Sequence, residues 1–528
     1  MIKINNYQKY LFNGLLLSCV ALIVRAVSVS FNIYISNKIG AEAMGLLTLT
    51  GGIYGFAITF ATSGINMAVV RQVSSALPDN ITDFDKKTDT CVGKIMKNAL
   101  SYSLLFSITA SVVLFISAEN ISKFLLDDIR TAPSLKLMSL SLVPISISSA
   151  LNGYFLAVRR VYKNVIAQLF EQSIKILSVS FLLVLVAPKG LEYACCAVVA
   201  GGTLAEVSSL VISGSLYLFD RKIHRRKLSK NPLPVSKNGI FSVSSAPYCD
   251  TRIIPIALPV AVSAYVRSLL VTVEHLAIPW GLKRHGANSA AALSSYGILH
   301  GMVIPVLLFP SAILGAFSSL LVPELSSAYA SKNTIRIKRI VSRVFSLTLF
   351  FSIGISGALI CFSSEIGYSI YGSDESSTYI RLLAPLVPLM YLDGAVDSML
   401  KGLNEHIYTM RVNITDSLIS VILIVILLPL FGIHGYVAVI FITELINTSF
   451  SILKLLNITE IETPILRWIV IPVFLIVSST LITRLLFNFS AFEGLSSKLL
   501  TVFELLLTAL IYFFTYALFK KLFIKNTA

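Results

Sequence analysis

The chain has 528 residues, of which 55 % are hydrophobic and 13 % charged. Soluble domains carry roughly 45–50 % apolar and about 25 % charged residues, so this composition excludes disorder, a fibrous chain and a soluble enzyme. A formal charge of +16, from 43 basic and 27 acidic residues, would point to nucleic acid in a soluble protein; in so apolar a chain it points to basic loops beside a membrane, with no nucleic-acid partner.

A spanning helix needs about 20 mostly apolar residues. Such stretches recur about fourteen times, at roughly 10–36, 45–71, 95–118, 134–158, 164–187, 192–219, 254–278, 294–322, 342–364, 379–402, 410–431, 434–456, 465–487 and 499–521. The first, MIKINNYQKY followed by LFNGLLLSCVALIV, starts like a secretory signal. It stays apolar to Ile35, too long for a signal core, and reads as a span. Neither face of these stretches alternates in polarity, which excludes an outer-membrane barrel. The fold class expected is an all-α integral membrane protein with two pseudo-symmetric six-helix lobes and two C-terminal helices. The N-lobe would be 1–220 and the C-lobe 253–458, with the extra pair in 459–528. Between the lobes, 221–252 reads as a basic cytoplasmic linker with Arg221, Lys222, Arg225, Arg226, Lys227, Pro232 and Pro234.

Orientation follows the basic residues. A cytoplasmic N-terminus puts Lys86, Lys87, Arg159, Arg160, the linker run, Arg336, Lys338 and Arg339 inside. Asp127, Asp128, Glu365, Asp374 and Glu375 then lie outside, and an even number of spans returns Lys520, Lys521 and Lys525 to the cytoplasm. The expectation is a multi-pass cell-membrane protein with both termini cytoplasmic.

The halves look duplicated. Val24-Arg25 recurs as Val266-Arg267, and Leu142-Val143-Pro144 as Leu386-Val387-Pro388, at offsets of 242 and 244 residues. Parallel repeats of this kind mark transporters with a midplane substrate site between halves.

Intramembrane charges are costly and usually face a cavity. Arg25 lies near the middle of the first span and Arg267 near the middle of the seventh. A guanidinium fork binds phosphate bidentately, so both are substrate-binding candidates for an anionic ligand. The competing reading is a structural ion pair. Glu274 shares the face of Arg267 but lies about 10 Å further along the axis, beyond direct contact. In the tenth span Asp393, Asp397 and Lys401 form a stripe at i, i+4, i+8. With Glu274 they are candidates for coupling or gating, or for a self-satisfied stripe. Glu171 and Lys175 read as a local pair; Glu206, Asp416 and Glu444 read as lone acids. His300 reads as packed rather than ligating. Pro144, Pro259, Pro305, Pro310, Pro385, Pro388 and Pro472 read as kinks.

The sequence shows no Walker A loop, HExxH or GxSxG pattern, and its His and Cys lack metal-ligand spacing. No enzyme activity, cofactor or metal site is expected. Transport would draw on Na+, H+ or the membrane potential. A membrane-embedded polysaccharide polymerase would need sizeable external loops to carry its chemistry, and those here are short.

YGILHGMVIPVLLFPSAILGAFSSLLVPELSSA at 296–328 and LLAPLVPLMYLDGAVDSMLKGLNEH at 382–406 resemble signatures of the stage V sporulation protein B-like flippase family. That family belongs to the multidrug/oligosaccharidyl-lipid/polysaccharide (MOP) exporter superfamily. TSGINMAVVRQVSSAL at 62–77, AQLFEQSIKIL at 167–177 and ALPVAVSAYVRSLLVTVEHLAIP at 257–279 extend the likeness. The resemblance implies two lobes around a V-shaped central cavity, alternating access, and a polyprenyl-pyrophosphate-linked glycan substrate such as lipid II. Arg25 is the position that best matches a cavity arginine of related flippases. LNGYFLAVRR in the fourth span departs from the family, which often has an arginine before Gly-Tyr and Gln-Gly after it. A multidrug cation antiporter of the same superfamily should carry an acid in the first span, where this chain has Arg25 and none. A single chain among membrane lipids is expected to be the working unit.

Overall fold

The computed structural model describes residues 2–77, 86–230, 252–461, 464–489 and 497–521. Among these residues every regular element is helical, as lipid requires of a chain that must satisfy its backbone within each segment. The protein is an all-α membrane protein. Its helices are α1 (Ile2–Thr62), α2 (Ile65–Ala76), α3 (Lys86–Asn120), α4 (Ala132–Ala157), α5 (Val161–Val186), α6 (Leu191–Lys230) and α7 (Ile254–Arg284). They continue with α8 (Ser289–Tyr296), α9 (Ile304–Leu308), α10 (Ser311–Ala330), α11 (Thr334–Cys361), α12 (Ser363–Tyr371), α13 (Asp374–Leu383) and α14 (Val387–Gly402). The last three are α15 (His406–Thr459), α16 (Ile471–Phe489) and α17 (Ser497–Phe519).

Twelve described helical stretches are long and apolar enough to cross a membrane. Two of them, Leu22–Ala76 and His406–Thr459, run for 55 and 54 residues. A straight helix of that length would reach about 80 Å, far beyond the roughly 30 Å hydrocarbon core. Each breaks at a glycine with positive φ, Gly40 at 80° and Gly432 at 59°. That backbone is open to glycine and strained for other residues. The chain folds back there. In α15, Tyr408 Oη donates to Phe450 O at 3.1 Å and Lys454 pairs with Glu405 at 3.3 Å. In α1, Asn32 donates to Gly301 O at 2.9 Å, while Met44, beyond the bend, also packs against Gly301.

The described chain forms two compact units, 49–276 and 1–48 together with 277–528. The division cuts α1 and α7, not the basic segment after α6. The exchange is reciprocal: the opening stretch of each sequence half packs with the remainder of the other half.

In the 49–276 unit the core is Ile65, Val69, Ile95, Tyr154 and Phe155 with their neighbours on α2, α3 and α4. Buried serines help to join these helices: Ser146 Oγ on α4 donates to Ser103 O on α3 at 3.3 Å, a contact suited to close packing in lipid. Leu177, Phe181 and Val184 leave an apolar face of α5 outward. In the other unit α11 anchors the C-terminal helices. Phe345 stacks on Trp468 at 5.6 Å, and Phe350 on Tyr512 of α17 at 4.6 Å.

Several prolines fall at helix irregularities. Pro305 follows a π-helical stretch at Gly297–Val303, Pro472 follows another at Leu466–Val470, and Pro385 sits in a 3₁₀ turn. Pro144, by contrast, lies within a continuous α4. Of the expected linker 221–252, residues 221–230 continue α6, and 231–251 lie outside the described residues.

Candidate functional site

Arg25 lies on the first arm of α1 and Arg267 on α7, both within apolar spans. Both side chains are exposed. Neither has an ion pair or hydrogen bond among the described residues, so the structural ion-pair reading is not met there. α7 is held against the end of α1 beside Arg267. Thr59 Oγ1 donates to Ser268 Oγ at 3.1 Å, and Thr272 Oγ1 to Gly52 O at 3.0 Å. Those bonds fix the helix while leaving the guanidinium unengaged. Glu274, two residues beyond Thr272, is partly buried and already engaged.

The stripe on α14 divides into two roles. Asp397 takes Lys401 at 3.5 Å and accepts from Asn413 Nδ2 at 3.4 Å, so this part is self-satisfied. Asp393 instead lies within electrostatic reach of Glu444, as does Asp416. Asp416 and Glu444, read from sequence as lone acids, therefore form a carboxylate group with Asp393, contributed by α14 and both arms of α15. Thr448 Oγ1 donates to Glu444 at 3.3 Å. No group of three or more His, Cys, Asp or Glu among the described residues is placed to hold a metal ion. His300 is packed, as read: its Nε2 meets Tyr436 Oη and its ring lies 5.0 Å from that of Tyr296.

One charged cluster was missed from sequence. Asp220 on α6 is 1 % exposed. It accepts from Lys163 Nζ at 2.7 Å, from Tyr154 Oη at 3.2 Å and from Arg160 Nη1. Next to it, Arg221 donates to Asp89 Oδ1 at 3.2 Å. The partners stand 57 to 66 positions apart, beyond any helical spacing rule. The available signal was one acid inside an otherwise basic end of α6. The segment LNGYFLAVRR, where the chain departs from the family it resembles, supplies Tyr154 and Arg160 to this network.

A further cavity of about 440 Å³ lies in the 1–48 and 277–528 unit, lined by apolar residues such as Phe309, Phe351, Ile366, Val502 and Tyr512. Its shape and lining suit hydrocarbon.

These features are those of a multi-pass membrane protein: apolar spans throughout, with a few charged side chains inside them. Comparisons with known proteins agree. Residues 11–249 match the family model described as polysaccharide biosynthesis protein, and residues 266–426 match the MatE model. The chain is 25 % identical over 431 residues to stage V sporulation protein B of Bacillus subtilis (strain 168), covering 81 % of this chain and 80 % of that one. Its fold matches the solved lipid II flippase MurJ in an inward closed conformation, with TM-score 0.68 and 14 % identity over 96 % of this chain and 99 % of that one. It also matches a multidrug resistance MATE family transporter of the MOP superfamily in an inward-facing conformation, with TM-score 0.59 and 12 % identity over 84 % and 100 %. By these matches the chain resembles polysaccharide biosynthesis and MatE proteins and shares the fold of MOP-superfamily transporters.

Proposed function

We propose that the chain flips a polyprenyl-pyrophosphate-linked oligosaccharide or peptidoglycan precursor across the bacterial cytoplasmic membrane by alternating access. The observation that carries this reading is that Arg25 and Arg267, each in an apolar span, have no protein counterion among the described residues. Such groups are stabilised by an anion, and the fork matches a pyrophosphate. The polyprenyl tail has a matching surface in the apolar cavity beside α17. The printed name of one fold neighbour, a lipid II flippase, supports this substrate class.

In this reading both termini are cytoplasmic. One chain suffices. Asp393, Asp416 and Glu444 carry the coupling. Lys401 and Asp397 hold each other and steady α14. A cation exporter is disfavoured because Arg25 would repel its substrate from the first span.

The test is flipping in reconstituted vesicles, comparing lipid II, an undecaprenyl-pyrophosphate-linked glycan and a cationic dye. Lipid movement that falls at least tenfold in Arg25→Ala supports the proposal. Dye efflux without lipid movement would overturn the flippase reading; unchanged flipping in Arg25→Ala would overturn the role of the arginine.

A further inference from the structure

At the start of α11 three arginines share one face. Successive helical residues turn by about 100°, so Arg336, Arg339 and Arg343 fall within a sector of about 60° and span about 10 Å of axis. They line a cavity of about 400 Å³ together with Glu324, Asn333, Ile335 and Ile340. That volume lies in the range of small-molecule sites, about 300–1,000 Å³. Glu324 is the single carboxylate there, and it pairs with Arg336 at 3.0 Å. Arg339 and Arg343 have no ion pair or hydrogen bond among the described residues. Asn333 caps the helix by accepting from Arg336 N at 3.0 Å, which fixes the backbone that carries the three side chains.

Position along the membrane then selects the ligand. α11 has 28 residues and a length of about 42 Å, against a hydrocarbon core of roughly 30 Å. Residues 344–361 carry no charge and fill most of that core. Arg343 therefore sits at the edge of the hydrocarbon, with Arg339 and Arg336 above it in the headgroup layer. A phosphodiester tethered to acyl chains reaches this level from the bilayer, and Ile335 and Ile340 give the same cavity an apolar wall. Basic pockets beside spanning helices on the positive side are where anionic headgroups bind. By contrast Lys338 lies on the opposite face of α11 and pairs with Glu460 at 3.6 Å.

We propose that Arg336, Arg339 and Arg343 form a binding site for the phosphate of an anionic glycerophospholipid, one per chain. The site is separate from Arg25 and Arg267 and does not depend on the identity of the transported substrate.

Native mass spectrometry of the full chain, titrated with phosphatidylglycerol or phosphatidylcholine, tests it. Wild type should retain one phosphatidylglycerol in preference to phosphatidylcholine. Arg339→Gln with Arg343→Gln should weaken that binding about thirtyfold, the effect of removing two interfacial charges. Lys338→Gln should leave it unchanged. Arg343→Lys keeps the charge without the fork and should give an intermediate loss. Equal retention of both lipids, or wild-type affinity in the double variant, would overturn the site. Displacement of the lipid by inorganic phosphate at equal concentration would overturn the lipid as its ligand in favour of a free phosphate.

Discussion

Asp220→Asn should destabilise the 49–276 unit more than any single charge change at its surface. The carboxylate is 1 % exposed and answers two cations. Lys163, with a side chain 7 % exposed, donates at 2.7 Å; the Arg160 side chain is 27 % exposed. Asparagine keeps the shape but leaves both cations without a counterion. Removing one partner of a buried ion pair costs about 3–5 kcal/mol, and Arg160 can recover part of that by turning outward, so about 3 kcal/mol is expected. In a unit of this size each kcal/mol moves Tm by about 2–4 °C, giving a fall of about 6–12 °C in detergent. Lys163→Met should cost less, because Asp220 keeps Arg160 and Tyr154. Combining Lys163→Met with Asp220→Leu should be milder than Asp220→Asn, since an apolar replacement of both partners leaves no orphaned ammonium. An unchanged Tm in Asp220→Asn, or a double variant less stable than Asp220→Asn, would refute this reasoning.

Three further outcomes follow from the geometry. Gly432→Ala places a Cβ 2.6 Å from His285 Cδ2 at φ 59°; left-handed backbone alone costs about 1–2 kcal/mol, so denaturant unfolding should show a loss of at least that size. Asp393→Asn should leave substrate binding near wild type while abolishing the response of flipping to an imposed pH gradient; a retained gradient response would show that coupling lies elsewhere. Arg25→Lys keeps the charge but loses the planar fork, and should weaken binding of the pyrophosphate lipid about tenfold, roughly the share of one charge-assisted hydrogen bond; equal affinity would mean that a point charge is enough.

The spans were legible because lipid imposes one rule on every residue of a crossing helix: backbone satisfied internally, side chains apolar. The same rule hides the turns. Gly40 and Gly432 sit inside helical patterns and differ from other glycines only in φ, which composition does not reveal. It also hides which charges meet. Asp397 and Lys401 are one helical turn apart and could be paired by spacing alone. Asp393, Asp416 and Glu444 come from α14 and two arms of a folded-back helix, so only the bend at Gly432 brings them together. The same holds for Asp220 and its partners on α4 and α5. Chain order likewise suggests two consecutive halves, whereas packing assigns 1–48 to the unit of 277–528.

The charges inside the spans differ in a way that bears on function. Several of the acids are answered from within the protein: Asp220 by two cations, Asp397 by Lys401 and Asn413, Glu444 by Thr448. Arg25 and Arg267 are answered by nothing among the described residues. A buried acid with a partner stabilises the fold or stores a proton, and it needs no ligand. A bare guanidinium in an apolar span costs free energy unless water or an anion reaches it. A substrate phosphate that binds such groups offsets a cost already present in the empty protein. Binding is then favoured over what the same arginines would give if salt-bridged, because no internal pair has to be broken first. Apolar patterning places the arginines in the spans; their lack of internal partners among the described residues is what makes an anionic head group the substrate feature to test first.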